Sequence, residues 1–458
     1  YPLVLSEDER HKLWFRQDTE FSLPRAFVCL ILENPVHKIS AKNAVLLEMF
    51  VELLSLNMSG TIYNAEVALL EYACSVENRG VVIKVNGLNE KLPSLFKMVV
   101  DSVASFSTTQ GDFDMIKEGL HRSYRNSDLD PEAFCRSTRL RVLLPQYWSS
   151  SQRDSEIDAL TIQDLTELLE QYGAHMFAEM LIQGNMTPEE AKDLAVYLRR
   201  EMDFGPLSRE QRFKPGVKWL PEGSLVTVEM ANRDPDSPNT VVTDYYQSCP
   251  RTDRDSTIAS LLVSCMEEPA FDDLRTKKQL GYTVSLNYHN YEMVAFSLTV
   301  VSQPAKNSVE KVEECMQNFV AGFCETLKSW NKKIFQSHID SAIQERLEPD
   351  VSLEEEVGRN WGEILHSKYC CFDRHLKEVE VLRELTQQEV CEWLCSYTQK
   401  GDSLKQLRVK VESKDSLPKA EGVSDTDGPS GGPEGLNYVL LKEHDIDRYK
   451  DKLQTFTS

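Results

Sequence analysis

Two stretches about 225 residues apart open helices in the same way: Leu160-Thr161-Ile162-Gln163-Asp164-Leu165 and Leu385-Thr386-Gln387-Gln388-Glu389-Val390. Tyr72 and Tyr282, and likewise Phe113 and Phe335, answer each other at a comparable separation. Self-similarity at about 210 to 225 residues marks a duplicated domain, because solenoid repeats recur every 20 to 50 residues or so. A chain of 458 residues also exceeds what one hydrophobic core usually serves. The expected fold class is therefore α+β, with two homologous domains of like topology, each a mixed sheet packed against helices.

The order of elements supports this reading. In the first half, Phe27–Leu32 is a compact apolar run of strand type, stopped by Asn34-Pro35, and the residues ahead of it read as a charged lead. Helical spacing follows over Ala41–Leu56 and continues through Ile62–Tyr72. Gly80–Val85 is a strand closed by Asn86-Gly87. Leu92, Leu95, Val99, Val103 and Phe106 mark an amphipathic helix, and helical sequence continues from Phe113 to Leu144. Met176–Gln183 reads as a strand, and Thr187-Pro188-Glu189-Glu190 starts a helix with a cap, a first-turn proline and acids near the positive end. From Gly205 to Glu222, Pro206, Pro215 and Pro221 with several glycines suit a connector, which sets the expected domains at 1–210 and 211–458. The second half repeats the order: strand Val241–Gln247, helix Asp255–Met266, strands Thr283–Tyr288 and Met293–Val301, helices Val309–Leu327 and Phe335–His366, strand Leu407–Val411. Residues 416–435, rich in Gly, Pro, Ser and Asp, are expected to form a flexible loop.

A net charge of −22 argues against nucleic acid or an anionic membrane as partner, since those surfaces demand basic patches, and it suits basic peptides or basic protein segments. Glu267-Glu268 and Glu354-Glu355-Glu356 could attract such ligands, although runs of this kind are mostly solvated helix faces. Eleven cysteines without framework spacing read as free thiols in a reducing, cytoplasmic compartment. No window reaches the ~20 apolar residues of a membrane span. A start at Tyr1 suggests a piece of a longer protein.

A zinc hydrolase needs HExxH or the reversed HxxEH, and neither occurs here. His366, Cys370, Cys371 and His375 form the one close set of soft ligands, and on a helix each His–Cys pair would stack on one side. Phe372-Asp373-Arg374 reads as a break in that helix, and adjacent cysteines diverge on one. Serine-hydrolase elbows and phosphate-cradling glycine loops are missing from the sequence. What remains is a binding module or part of an enzyme.

The densest chemistry lies in Phe271–Val284, where a helical apolar pattern hands over to a strand through Gly281. Arg275 offers a planar fork of donors and Tyr282 one directed hydroxyl, the pair a site would use to hold a peptide carbonyl or a carboxylate. The structural alternative has Arg275 paired with Asp272 or Asp273 and Tyr282 filling a half-buried slot.

Leu274-Arg275-Thr276-Lys277-Lys278-Gln279-Leu280-Gly281-Tyr282 resembles the LRTKxQLGY signature in the C-terminal half of the insulinase-type (M16) inverted-zincin metallopeptidases. The likeness extends through Lys12-Leu13-Trp14-Phe15-Arg16-Gln17-Asp18, Gly184-Asn185-Met186-Thr187 and Trp361-Gly362-Glu363-Ile364. This resemblance implies a clam-shell of four related α+β domains, of which the chain supplies the third and fourth, each an M16-type α/β roll. It implies that zinc, its HxxEH ligands and the general-base glutamate belong to the N-terminal half, so that zinc serves the full-length enzyme and no metal is bound here. Arg275 and Tyr282 would then reach the substrate backbone near the zinc, orient the peptide and donate hydrogen bonds to the scissile carbonyl. The expected function is the non-zinc-binding half of a metalloendopeptidase that cleaves basic peptides at dibasic sites, with the N-terminal half of the same protein as partner. Alone, the chain is expected to be inactive. The second reading is a non-catalytic acidic module that captures basic segments of partner proteins.

Overall fold

The nine residues Arg25–Glu33 include eight that are buried, and their side chains feed two separate cores: Ala26, Val28, Leu30 and Leu32 one, Phe27, Cys29 and Ile31 the other. A strand buried on both faces must sit inside a sheet with helices on either side. The computed structural model, which describes residues 1–366, 370–399, 401, 403–414 and 436–457, shows this arrangement. The first sheet comprises β1 (Leu3–Glu7), β2 (His11–Gln17), β3 (Arg25–Glu33), β4 (Leu70–Glu77), β5 (Gly80–Leu88), β6 (His175–Gly184) and the short β7 (Gly205–Pro206). Its order is β1-β2-β6-β3-β5-β4, with β7 beside β6. β2 runs parallel to β6, while β3 pairs antiparallel with β5 and β6.

The second half supplies β8 (Val217–Lys218), β9 (Ser224–Ala231), β10 (Thr240–Pro250), β11 (Gly281–Asn290), β12 (Met293–Ser302), β13 (Lys405–Glu412), β14 (Asn437–Leu441) and β15 (Thr455–Phe456). Six of these form a sheet in the order β11-β12-β10-β13-β9-β14, and β15 pairs with β8. The path β11-β12-β10-β13-β9 repeats the path β4-β5-β3-β6-β2, including the parallel pair at its end (β13 with β9, β6 with β2). The duplication read from the sequence is thus a duplication of strand order. The fold is α+β, a mixed sheet packed against helices in each copy.

The compact units are not continuous halves. One joins Tyr1–Arg125 and Ser150–Lys214 with Pro349–Asp373; the other joins Pro215–Glu348 and Arg374–Ser458 with Asn126–Ser149. The division at Lys214–Pro215 lies in the proline-rich connector, but one helix of each half belongs to the other's unit. Pro131–Leu143 buries Phe134, Cys135, Val142 and Leu143 among Val226, Val228, Val241 and Val409. Leu353–His366 does the same with Leu353, Val357, Trp361 and Ile364 among Trp14, Phe27, Ile31 and Leu181. The reason is the second apolar face of each sheet, since four large side chains buried at ~1.5–3 kcal/mol each hold such a helix firmly.

Four expectations need revision. The lead before Phe27 contains two strands, β1 and β2. Ile62–Tyr72 is not one helix: it ends at Val67, Leu69 takes a left-handed backbone (φ 59°), and Leu70 opens β4. β9 is a strand not expected from the sequence. Nor are all the cysteines free, because the helices Val309–Ser329 and Gln387–Thr398 bring the Cα atoms of Cys324 and Cys395 to 6.6 Å and the two are disulfide-bonded. The loop expected at 416–435 lies outside the described residues. Among the described residues no single helix is long and apolar enough to cross a membrane.

Two ion clusters bring buried charges into the sheets. Arg79 reaches Glu33 at 2.6 Å and Glu179 at 2.7 Å, and Glu179 also accepts from the Trp14 indole at 2.9 Å. In the second sheet Arg408 grips Asp244 with two bonds, 2.6 and 2.8 Å.

Candidate functional site

The helix Asp253–Ala270 starts at Thr252, whose hydroxyl accepts from the Asp255 N–H, and buries Ile258, Leu261, Leu262, Cys265 and Met266 at helical spacing. It does not stop at Ala270. Phe271–Lys277 continues as a π-helical turn with Leu274 buried. A π-turn brings residues five apart onto one side, and this decides the local pairing. Lys277 bonds Asp272 and Lys278 bonds Asp273, each at 2.6 Å. In an α-helix, Arg275 would be the natural partner of Asp272, three residues away. Here both acids are taken by lysines, and Arg275 has no ion pair among the described residues. Its guanidinium lies over the Phe271 ring, 4.4 Å from the centroid.

The turn is closed by backbone geometry. Gln279 is left-handed (φ 52°), and the Leu280 N–H reaches the Leu274 carbonyl at 3.0 Å. Buried Asn307 donates to the carbonyls of Gln279 (3.0 Å) and Leu280 (3.3 Å), and the Ser302 hydroxyl donates to the Leu280 carbonyl (2.5 Å). Gly281 then pairs with Ser302 so closely that a Cβ would sit 1.7 Å from the Val301 carbonyl oxygen. Only glycine fits. The register slips between Gly281 and Thr283, leaving Tyr282 as the extra residue of a β-bulge. The bulge turns its phenol outward, and Tyr282 is 78% exposed. Neither structural alternative from the sequence is realised, since Arg275 is not paired with Asp272 or Asp273 and Tyr282 does not fill a slot.

The soft-ligand set does not form the stacked pairs its spacing allows on a helix. The helix Leu353–His366 precedes the cysteines, Cys370 has a left-handed backbone (φ 42°), the Cys371 N–H is held by Glu363 at 3.0 Å, and another helix begins at Arg374. Among the described residues no three His, Cys, Asp or Glu side chains form a set that could hold a metal ion.

One polar cluster goes beyond what the sequence foretells. Buried Arg139 donates to the Ser297 hydroxyl at 2.9 Å, and His289 lies within hydrogen-bond distance of both Ser297 (2.8 Å) and Arg139 (3.2 Å). Burial, reinforced by Arg139, pushes His289 down to about 3. The only sequence signal is an arginine on the apolar stripe Cys135, Thr138, Arg139, Val142.

Residues 1–156 match the family model "Middle or third domain of peptidase_M16", and residues 261–361 match "PQQ synthase PqqF-like, C-terminal lobe domain 4". Human nardilysin is 34% identical over 414 residues, which is 90% of this chain and 36% of that protein. A nardilysin-like protein of Arabidopsis thaliana is 27% identical over 90% of this chain and 40% of its own length, and human insulin-degrading enzyme 26% over 85% and 38%. The chain therefore spans little more than a third of the curated relatives it matches. Among solved structures, pitrilysin superposes with a TM-score of 0.85 at 19% identity, over the whole of this chain and 47% of its own. A peptidase M16 inactive domain from Pseudomonas fluorescens superposes with a TM-score of 0.69 at 16% identity, over 92% of this chain and all of its own. These two carry the fold. Taken with the nardilysin relatives and the family model over residues 1–156, they show a chain similar to M16 peptidases over most of its length.

Proposed function

We propose that this chain is the substrate-gripping, non-metal half of a zinc metalloendopeptidase that cleaves basic peptides at paired basic residues. The N-terminal half of the same protein would be its partner and would hold the zinc through HxxEH. No set among the described residues fits that metal, so the chemistry assigned to this chain is binding and orientation. The observation that carries the proposal is the π-turn and bulge, which leave Arg275 and Tyr282 unspent on a glycine-locked corner while the neighbouring acids are consumed by lysines. A guanidinium fork holds a peptide carbonyl or carboxylate, and a phenol held by a rigid strand can donate to an oxygen as it gains charge. The net charge of −22 supports a basic substrate, as do Glu267 and Glu268, both exposed and without ion pairs among the described residues.

The test is Tyr282→Phe in the full-length protein. Chelator-sensitive cleavage of a dibasic peptide should fall by at least about tenfold in kcat/KM, with thermal stability unchanged, since one preorganised donor is worth a few kcal/mol. Unaltered kinetics would remove the role given to Tyr282. If the full-length protein fails to cleave while this chain alone binds basic peptides in a salt-sensitive way, the acidic binding module is the better account.

A further inference from the structure

Sheet edges expose unpaired N–H and C=O groups, and proteins normally blunt them with short strands, charges or proline. Three of the four edges of the two large sheets follow that rule. β1 and β14 are five residues each, and β4 carries Glu71 and Glu77. β11 does not. It is ten residues long, Gly-Tyr-Thr-Val-Ser-Leu-Asn-Tyr-His-Asn, with no acid, lysine, arginine or proline. His289, its one titratable ring in the usual range, is neutral because it is buried beside Arg139. From Thr283 to Asn290 its register with β12 is unbroken, and among the described residues no strand lies on its other side.

Its two faces are already sorted for a neighbour. Val284, Leu286 and Tyr288 turn to the helix-covered core, whereas Thr283, Ser285 and Asn287 line the opposite face with hydroxyl and amide groups. The bulge that throws Tyr282 outward lies at the first rung of this edge.

We propose that β11 is a strand-addition site for the substrate, and that an extended basic peptide pairs with its free edge beside Tyr282 as the next strand of the sheet. This rests on the function proposed above and makes it specific: the ligand is recognised through its main chain along several residues. Basic character is favoured by Glu267 and Glu268, exposed in the last turns of the helix that leads into the corner and without ion pairs among the described residues, and by the overall acidic charge. Alternating backbone groups on the outer side of an antiparallel edge define the register the ligand must satisfy.

The experiment uses this chain and a ten-residue peptide centred on Arg-Arg. Amide hydrogen exchange should slow within residues 281–290 when the peptide is added and stay unchanged in β4 and β14. A series of peptides N-methylated at one residue each should alternate, with affinity falling about tenfold where a ladder donor is removed and less than about twofold at the positions between. Asn287→Lys, at an exposed position, should weaken the unmethylated peptide as edge lysines do. An exchange map with no protection in 281–290, or a methylation series without alternation, overturns strand addition. Loss of cleavage in Tyr282→Phe with no alternation would leave the proposed function standing and remove this inference. Alternation with Tyr282→Phe unaltered would keep strand addition and remove the role given to Tyr282.

Discussion

Gly281→Ala tests the corner at its tightest point. The new Cβ would lie 1.7 Å from the Val301 carbonyl oxygen, 2.8 Å from its carbon and 3.3 Å from the Ser302 Cα, where real contacts stay above about 3.0 Å. The obstructing atoms are backbone, so no rotamer change relieves the clash and β11 must move off β12 by more than about 1 Å locally. Overpacking of this kind costs ~1–3 kcal/mol, and opening the first rung forfeits about 1 kcal/mol for each hydrogen bond lost. We expect a loss of about 2–4 kcal/mol, or roughly 5–15 °C in Tm for a unit of this size. Calorimetry of the chain, with hydrogen exchange across β11 and β12 to assign the transition, measures it. Gly322→Ala is the control. It lies exposed inside the helix Val309–Ser329 with nothing within 4 Å of an added Cβ, and should gain about 0.5–1 kcal/mol from lower chain entropy. If Gly281→Ala melts within a degree of the parent, the steric argument for the corner fails. Because the same rung sets the bulge, the variant should also lose Tyr282-dependent cleavage with the phenol itself intact.

Three further outcomes follow from buried groups. Arg79→Met leaves Glu33 and Glu179, whose side chains are 2% and 9% exposed, without their shared ion-pair partner, and should cost ~3–5 kcal/mol in urea unfolding at pH 7; a loss under about 1 kcal/mol would refute the cluster's role. Burial pushes His37 down to about 4 and His289 to about 3, while both titrate near 6.5 when unfolded. The unfolded chain therefore binds more protons below that value, so stability is complete above about pH 6.5 and falls as pH drops towards 4. The loss is about 2 kcal/mol per histidine at pH 5, and His37→Gln or His289→Gln should flatten that limb in urea midpoints compared at pH 7.5 and 5. The Cys324–Cys395 bond closes a loop of 71 residues, and its reduction should cost up to about 4 kcal/mol. Alkylation of the unfolded chain followed by mass spectrometry should count nine thiols without reductant and eleven with it; eleven in both would refute the bond.

Much of this fold is legible wherever burial is uniform. Phe27–Leu32 is a continuous apolar run because its strand is covered on both faces, Gly80–Val85 and Met176–Gln183 are each interrupted by one charge, Lys84 and Glu179, and the structure places strands at all three with ends shifted by up to three residues. β1 and β2 escape the pattern because Leu3-Val4-Leu5-Ser6-Glu7 is an exposed edge with a bulge, and His11–Gln17 mixes charges with its apolar residues. At the candidate site, sequence supplies the residue types and the glycine but not the π-turn, since nothing in Phe271–Lys277 distinguishes a fifth-residue pairing from a fourth-residue one. Yet that pairing is what frees Arg275. The Arg139, His289 and Ser297 cluster is further from reach, because it joins a helix of the first half to two strands of the second.

The duplication shows why the phenol is delivered at one corner and absorbed at the other. Both units enter the edge strand of their hairpin through a left-handed residue after a helix, Leu69 before β4 and Gln279 before β11. Both must then bring two backbones close, and each uses a glycine to do so. In the first unit it is Gly87, on the inner strand β5, where a Cβ would lie 2.4 Å from the Leu69 carbonyl oxygen. The edge strand therefore keeps its regular pairing, Leu70 opposite Gly87, and Tyr72 packs against the core. In the second unit the glycine is on the edge strand itself, at Gly281, and the register slips directly after it. The displaced residue is Tyr282, and a bulge has nowhere to send a large side chain but outward. The exchange of glycine between inner and outer strand thus separates a tyrosine that builds a core from one that is free to meet a ligand.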